Sequence, residues 1–423
     1  MPHYPERVPP SLVVTSRPIE LDEATDLICR LPAEGPLSWV RRGEGLVGWG
    51  VAASVRTSGP TRFADAAKWW AEVAAQADVV DTVHEPGSGL VSFGSFAFAD
   101  NGVDSVLIVP AVLIGRRGEE AWRTDITVGP EPQRIDESST VTLSVAPPPT
   151  FTEGPGSLTP GRWTEVVAEA TARINHGELE KVVLARDITA TSDGPIDPRR
   201  PLAFLAEHYP MCWTFHVDGL FGATPELLVR RERGLVTSRV LAGTLSSIDA
   251  GPTGEAHPET LAGELSRSSK DLEEHEYAVR SVADALEPHC SSMNVPEAPY
   301  VLHLPNVMHL ATDVTGVARD GITSLELAAA LHPSAAVGGT PRAAALALIE
   351  ELEGMDRGRY AAPVGWMDAG GDGEWGIALR SAQIEGRTVR LFAGCGVVGS
   401  SDPDAELAES NAKLVPVRSA LGL

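Results

Sequence analysis

Cysteine is scarce and scattered. The four residues, Cys29, Cys212, Cys290 and Cys395, form no CxxC pair. That argues against a zinc site or a disulfide framework and for a reduced compartment. Long apolar runs are missing as well, and no stretch is long enough to span a bilayer. The opening segment, MPHYPERVPPSLVV, has neither the basic start nor the continuous apolar run of a secretory signal. The expected setting is therefore soluble and cytoplasmic. Positive charge is in short supply: 34 Lys and Arg face 58 Asp and Glu, for a net charge of −24. Such a surface repels nucleic acid and anionic membrane, so neither is expected as a partner. An anionic ligand would need a local cationic pocket or a metal to overcome that field.

What is present is ordinary globular material: 423 residues, 43% of them hydrophobic, enough for a large core. Residues 1–145 read as a β-rich N-terminal subdomain containing one good helix, TRFADAAKWWAEVAAQA. DSVLIVPAVLIGRRGEEAWRTDITV reads as a hairpin turning near Arg116 to Gly118. The stretch 146–161, APPPTFTEGPGSLTPG, is rich in Pro, Gly, Ser and Thr and reads as a linker. From 162 to 423 the pattern becomes denser. RWTEVVAEATARINHGEL predicts a helix ending near Gly177, and KVVLARDIT a strand with Lys181 at its head. SSKDLEEHEYAVRSVADALEP predicts a helix with a capping box from Ser268 to Asp271. Further helices are expected at SLELAAALHPS, PRAAALALIEELEG and the C-terminus. Strands outnumber β-α-β units, which favours an α+β fold of antiparallel sheets flanked by helices over a parallel sheet.

Two glycine signals mislead. Residues 394–399, GCGVVG, form a G-x-G-x-x-G, but no strand with an acidic ribose ligand follows before the chain ends at Leu423. The better reading is that Gly394 and Gly396 allow close approach of backbone to a ligand. Cys395 between them resembles a nucleophile turn, yet no histidine follows it, and a small buried cysteine is the simpler role.

Chemistry gathers elsewhere. KDLEEHE puts Glu273, Glu274 and Glu276 within one turn, with Glu274, Ala278 and Ser281 on a common face. Glu406 and Glu409 share a face of the last helix, with Lys413 one turn on. Two converging helices of this kind suit a hard divalent cation such as Mg²⁺, whereas alone each would be a solvated acidic face. Glu226 follows a Thr-Pro turn and precedes an apolar pair, as either a loop end or a site acid. Arg380 is expected near the middle of the strand GEWGIALRSA, where a guanidinium suits a carboxylate ligand. Lys181 is either a cation snorkelling from a strand end or an amine held for chemistry.

From about residue 160 to 420 these residues stand in ten ordered segments: KVVLAR, GATPELLVR, LAGT, SSKDLEEHE, MHLATDVTG, LHPSAAVGGTPR, RGRYAAPVGW, EWGIALRSA, RLFAGCGVV and AELAESNAKL. In that order they resemble the chorismate-utilising enzyme family; the first third resembles it more weakly, through GEGLVGWG. The resemblance implies an α+β sandwich of large antiparallel sheets packed face to face, with helices outside. It makes 162–423 the chorismate-binding catalytic domain.

The family's branches differ in the nucleophile delivered to chorismate, and a lysine at position 181 marks those delivering water. Ala242, in place of the lysine of one ammonia-using branch, agrees, and no glutamine amidotransferase subunit is expected. Ala336 and Val337 fit the isochorismate-forming pattern, whereas salicylate-forming relatives tend to carry threonine at 336. The implied reaction is Mg²⁺-dependent interconversion of chorismate and isochorismate, with further loss of pyruvate to give salicylate as the alternative. By the same resemblance Lys181 would be the general base and Glu226 the general acid. Glu274 and Glu409 would hold Mg²⁺, with Glu273 and Glu406 acting beside them or through water. Arg380, with Gly243, Thr244, Gly394 and Gly396, would receive the substrate's side-chain carboxylate. Lys413 would add charge, and His309, Ala336 and Tyr360 would line the pocket. A lysine ammonium is a poor base at neutral pH, so this role requires a desolvated site or a neighbouring cation. A monomer is expected.

Overall fold

A computed structural model of the chain describes residues 10–129, 148–246, 269–303 and 307–423. Among the described residues the strands gather into two sheets, one of thirteen strands and one of ten. Pairing is antiparallel, with a parallel exception at one edge, Leu12–Pro18 against Asp78–Asp81. The sheets pack face to face. Leu37, Trp39 and Phe215 of the larger meet Val91, Phe93 and Val364 of the smaller in one buried cluster. This is the α+β sandwich that the strand-rich sequence and the family resemblance imply.

Helices cover the outer faces, and their sequences say why they form. In Pro160–Asn175, Trp163, Val166, Val167 and Ala170 recur at the helical period and are buried. The Thr159 side chain caps its start, accepting from the Arg162 N–H, and Gly177 leaves it with φ 81°. In Pro403–Leu421 the Asp402 side chain accepts from the Ala405 N–H at 2.8 Å, and Ser410, Leu414, Val417 and Leu421 form the buried stripe. In Ser269–Leu286 the stripe is His275, Val279, Val282 and Leu286, and His275 Nε2 meets Thr312 Oγ1 at 2.7 Å. Of the expected 274–278–281 face, Ala278 is half-buried and Ser281 exposed. The capping box at Ser268 falls outside the described residues. No helix of the described chain is long and apolar enough to cross a membrane.

The two halves of the sequence interleave. Leu37–Arg41 pairs with Trp213–Val217 in one sheet, and Val91–Ser95 with Pro363–Asp368 in the other. Segments 1–145 and 162–423 thus build both sheets together. Within 146–161, Phe151–Gly154 adds an edge strand beside Lys181–Ser192, and Pro160 begins a helix. The expected hairpin is Val112–Arg117 with Glu120–Val128, but Ser105–Val109 ahead of Pro110 lies in the other sheet. Arg199–His208 is a helix that the sequence pattern left unread.

Candidate active site

The site is built where the chain changes sheets. It leaves the larger sheet after Leu220–Thr224 and enters the smaller at Leu227–Glu232, and Glu226 lies in that crossover. It returns between Gly373–Ile377 and Ser381–Glu385, and Arg380 lies there. Arg380 is therefore not in mid-strand, as the alternating pattern suggested. It occupies a left-handed position with φ 49°, a conformation that costs a non-glycine residue about 1 kcal/mol and recurs at functional sites.

The two crossovers are stitched side by side. Thr224 Oγ1 donates to the Ile377 carbonyl at 2.6 Å and accepts from the Glu226 N–H at 3.2 Å. The Ile377 N–H donates to the Glu226 carbonyl at 3.1 Å, and the Ala223 N–H to the Arg380 carbonyl at 3.3 Å. Gly222 permits the closeness, since a Cβ there would stand 2.6 Å from the Arg380 carbonyl oxygen.

Glu226 is half-buried in that crossover. Enclosure pushes its carboxyl up from 4.5 to about 7, against the opposing pull of Arg380, then Lys181, then Lys413. An acid held partly protonated at neutral pH thus lies within electrostatic reach of Arg380, Lys181 and Lys413. Such a local gathering of basic side chains is what an anionic ligand requires on so acidic a chain.

Lys181 opens the strand Lys181–Ser192. Val182 and Leu184 are fully buried and fix the strand in the core. The strand head is held on both sides, by Gly339–Thr340 and by Thr388–Val397. Gly339, at φ 139°, has to be glycine, because a Cβ there would stand 2.2 Å from the Lys181 carbonyl oxygen. The amine lies across Gly396, where a Cβ would stand 3.0 Å from Lys181 Cε and 3.5 Å from Nζ. The Gly394 carbonyl accepts a hydrogen bond from Lys413 Nζ at 2.9 Å. The turn Ser334–Gly338, which carries Ala336, leads directly into the Gly339–Thr340 clamp.

Tyr360 is buried, and its ring stacks on Phe392 with centroids 5.1 Å apart. Burial pushes its hydroxyl up to about 12, so it stays neutral. Cys395 is buried, and burial pushes its thiol up, with the neighbouring Glu406 carboxylate adding to the effect. That is the reverse of an activated nucleophile. Gly243 sits at a β-bulge of the Leu235–Ser246 strand, and Thr244 pairs across the ladder with His309. The side chains of Thr244, His309, Glu273 and Glu274 lie outside the described residues.

Glu409 forms an ion pair with Lys413 one helical turn on. Glu406 accepts from Ser401 Oγ at 2.7 Å through one oxygen, while its buried Oε2 has no hydrogen-bond partner. An orphaned carboxylate oxygen of this kind, one turn from Glu409, fits a hard divalent cation in donor chemistry. Among the described residues no three ligand-type side chains converge by themselves. The family model described as chorismate binding enzyme matches residues 37–422. Isochorismate synthase MenF of Bacillus subtilis is 39% identical over 264 residues, covering 62% of this chain but only 55% of that protein. Isochorismate synthase DhbC of the same organism is 40% identical over 269 residues, covering 61% of this chain and 67% of the relative. Among solved structures, MenF, the menaquinone-specific isochorismate synthase from Escherichia coli, superposes with TM-score 0.78 at 26% identity. That match covers 97% of this chain and 95% of the other. Anthranilate synthase component I from Streptococcus pneumoniae shares the fold, with TM-score 0.69 at 20% identity.

Proposed function

The chain belongs to the chorismate binding enzyme family, and from that premise we propose that it is an isochorismate synthase, interconverting chorismate and isochorismate. The observation that carries this reading is an acid near neutrality, Glu226, within electrostatic reach of Arg380 and of the amine of Lys181. Water delivery needs such a pair: a base to take a proton from water and an acid to give one to the departing hydroxyl.

In this reading Lys181, as the free amine, accepts a proton from water as its oxygen bonds to C2 of the ring. The ring double bonds shift, and the C4–O bond breaks. Glu226, protonated, gives its proton to the leaving oxygen, which departs as water. One water enters and one leaves, so the reaction is an isomerisation. Arg380 presents its guanidinium to the side-chain carboxylate of the substrate, and the backbone at Gly243, Thr244 and Gly394, with Gly396 beside it, closes around it. Lys413, held on the Gly394 carbonyl, adds positive charge. His309, Ala336 and Tyr360 line the pocket. Glu409 and Glu274 would hold Mg²⁺, with Glu406 and Glu273 beside them. When bound, the ion neutralises the ring carboxylate and draws electron density from the ring. The unpartnered buried oxygen of Glu406 supports a cation there.

The test is product analysis. The purified protein is incubated with chorismate and Mg²⁺ and the products are separated by chromatography. A new isochorismate peak, reverting to chorismate when isochorismate is supplied and absent after chelation, is expected. Salicylate formed without an added lyase would instead assign pyruvate elimination to this chain.

A further inference from the structure

The Lys181–Ser192 strand has a full neighbour on one side only. Thr388–Val397 pairs with it from Val182 to Thr191. On the other side Gly339–Thr340 covers only Lys181 and Val182, the Gly338 carbonyl accepts from the Val183 N–H at 2.9 Å, and Phe151–Gly154 covers only Thr189 to Ser192. Between them lies a gap in the ladder, buried in the core, where backbone groups need partners. A buried ion pair fills it. Glu353 Oε1 accepts from the Ala185 N–H at 2.7 Å, and Arg357 Nη2 donates to the Val183 carbonyl at 2.7 Å. The same guanidinium donates through Nη1 to the Val337 carbonyl at 2.8 Å, and through Nε to Glu353 Oε2 at 2.8 Å. It lies over the Phe98 ring at 4.2 Å. Both side chains are almost fully enclosed, at 1% and 2% exposure.

With the Trp163 indole N–H, which donates to the Ala185 carbonyl at 3.3 Å, these two side chains stand in for a missing strand. A carboxylate and a guanidinium can copy its acceptor and donor, and the planar fork of Arg357 leaves one arm over for a second backbone. That second backbone is the turn carrying Ala336. One rigid group therefore bonds two residues beyond Lys181 and one residue beyond Ala336. The Tyr360 N–H, moreover, donates to the Arg357 carbonyl at 3.0 Å. Burying such a pair gains little net stability, since desolvation consumes much of the attraction. Its geometric result, however, is specific.

We propose that the Glu353–Arg357 pair is a positioning device that sets the placement of the Lys181 amine against the Ala336–Val337 turn. The inference rests on the isochorismate synthase reading for its kinetic consequence, though not for its structural one. Neither residue contacts the reacting atoms. They act through the backbone, and an amine displaced by about 1 Å loses about 100-fold in rate.

The test uses Arg357→Lys, which keeps the charge opposite Glu353 but removes the fork, and Glu353→Gln, which keeps an acceptor for Ala185. In Arg357→Lys, kcat for chorismate should fall about 100-fold with KM within about 3-fold of the original. Glu353→Gln should retain more activity than Arg357→Lys. Separately, the acetylation rate of Lys181, followed by peptide mass spectrometry against the exposed Lys68 as internal control, should change at least about 5-fold in Arg357→Lys. That readout needs no turnover, so it separates failure of this inference from failure of the functional reading. Two results overturn the inference. One is a folded Arg357→Lys with unchanged kcat and an unchanged Lys181 to Lys68 reactivity ratio. The other, should Arg357→Lys not fold, is a folded Glu353→Gln with both quantities unchanged.

Discussion

Replacing Lys181 by alanine should lower turnover of chorismate by about 10²- to 10⁴-fold, the span contributed by a positioned general base, with little change in thermal stability. The backbone at 181 is held by Gly339–Thr340 and its neighbours by Thr388–Val397, and alanine leaves both ladders intact. The amine itself lies across Gly396 at the mouth of the strand, outside the apolar packing of Val182 and Leu184. Removing it therefore takes away chemistry and little core. Steady-state kinetics beside a melting curve separates the two. Turnover within a few-fold of the original would remove Lys181 from the reaction.

Replacing Glu226 by glutamine should cut turnover by a similar factor and at the same time stabilise the protein above neutral pH. The second effect follows from the sign of the shift. The folded carboxyl titrates near 7, while an ordinary glutamate titrates near 4.5. Between those values the folded state holds the proton more tightly than the unfolded one. Stability therefore falls as pH rises through that window. At pH 8 the ionised Glu226 costs up to about 3 kcal/mol, which glutamine avoids, and at pH 4 the two proteins should melt alike. Activity of the native enzyme should decline as pH climbs past about 7, because the acid must carry its proton. A glutamine variant that melts lower than the original at pH 8 contradicts the enclosed-acid description.

Part of this arrangement can be read in the sequence alone. The strand beginning at Lys181 shows in its alternation, and the helices carrying Glu274 and Glu409 show in their period. Lys181, Glu226, Arg380 and Lys413 then meet around one carboxyl, although they are spread over more than half of the chain. Arg380 was misplaced because EWGIALRSA reads as one alternating run. Period-two alternation does not reveal that a chain leaves one sheet for another, and only the left-handed backbone at Arg380 marks the crossing. The Arg199–His208 helix was missed because Pro198 and Pro201 stand at its start, where proline is tolerated yet reads as a break. Glu353 and Arg357 gave no signal at all. Side chains that replace a strand leave no periodicity, and an acid and a base four apart at a helix end look like an ordinary surface pair. The division between 1–145 and 162–423 is visible in composition, yet it is crossed by the ladder of each sheet.

In the proposed reaction Lys181 and Glu226 deliver a solvent water to the ring while the original hydroxyl departs. Mass spectrometry of isochorismate formed early in turnover, in water labelled with heavy oxygen, tests it most directly. One labelled oxygen per product molecule, attached at C2, is the expected result. Product formed at the normal rate with no label would show that the hydroxyl migrates within the substrate, and would contradict the roles given to both residues.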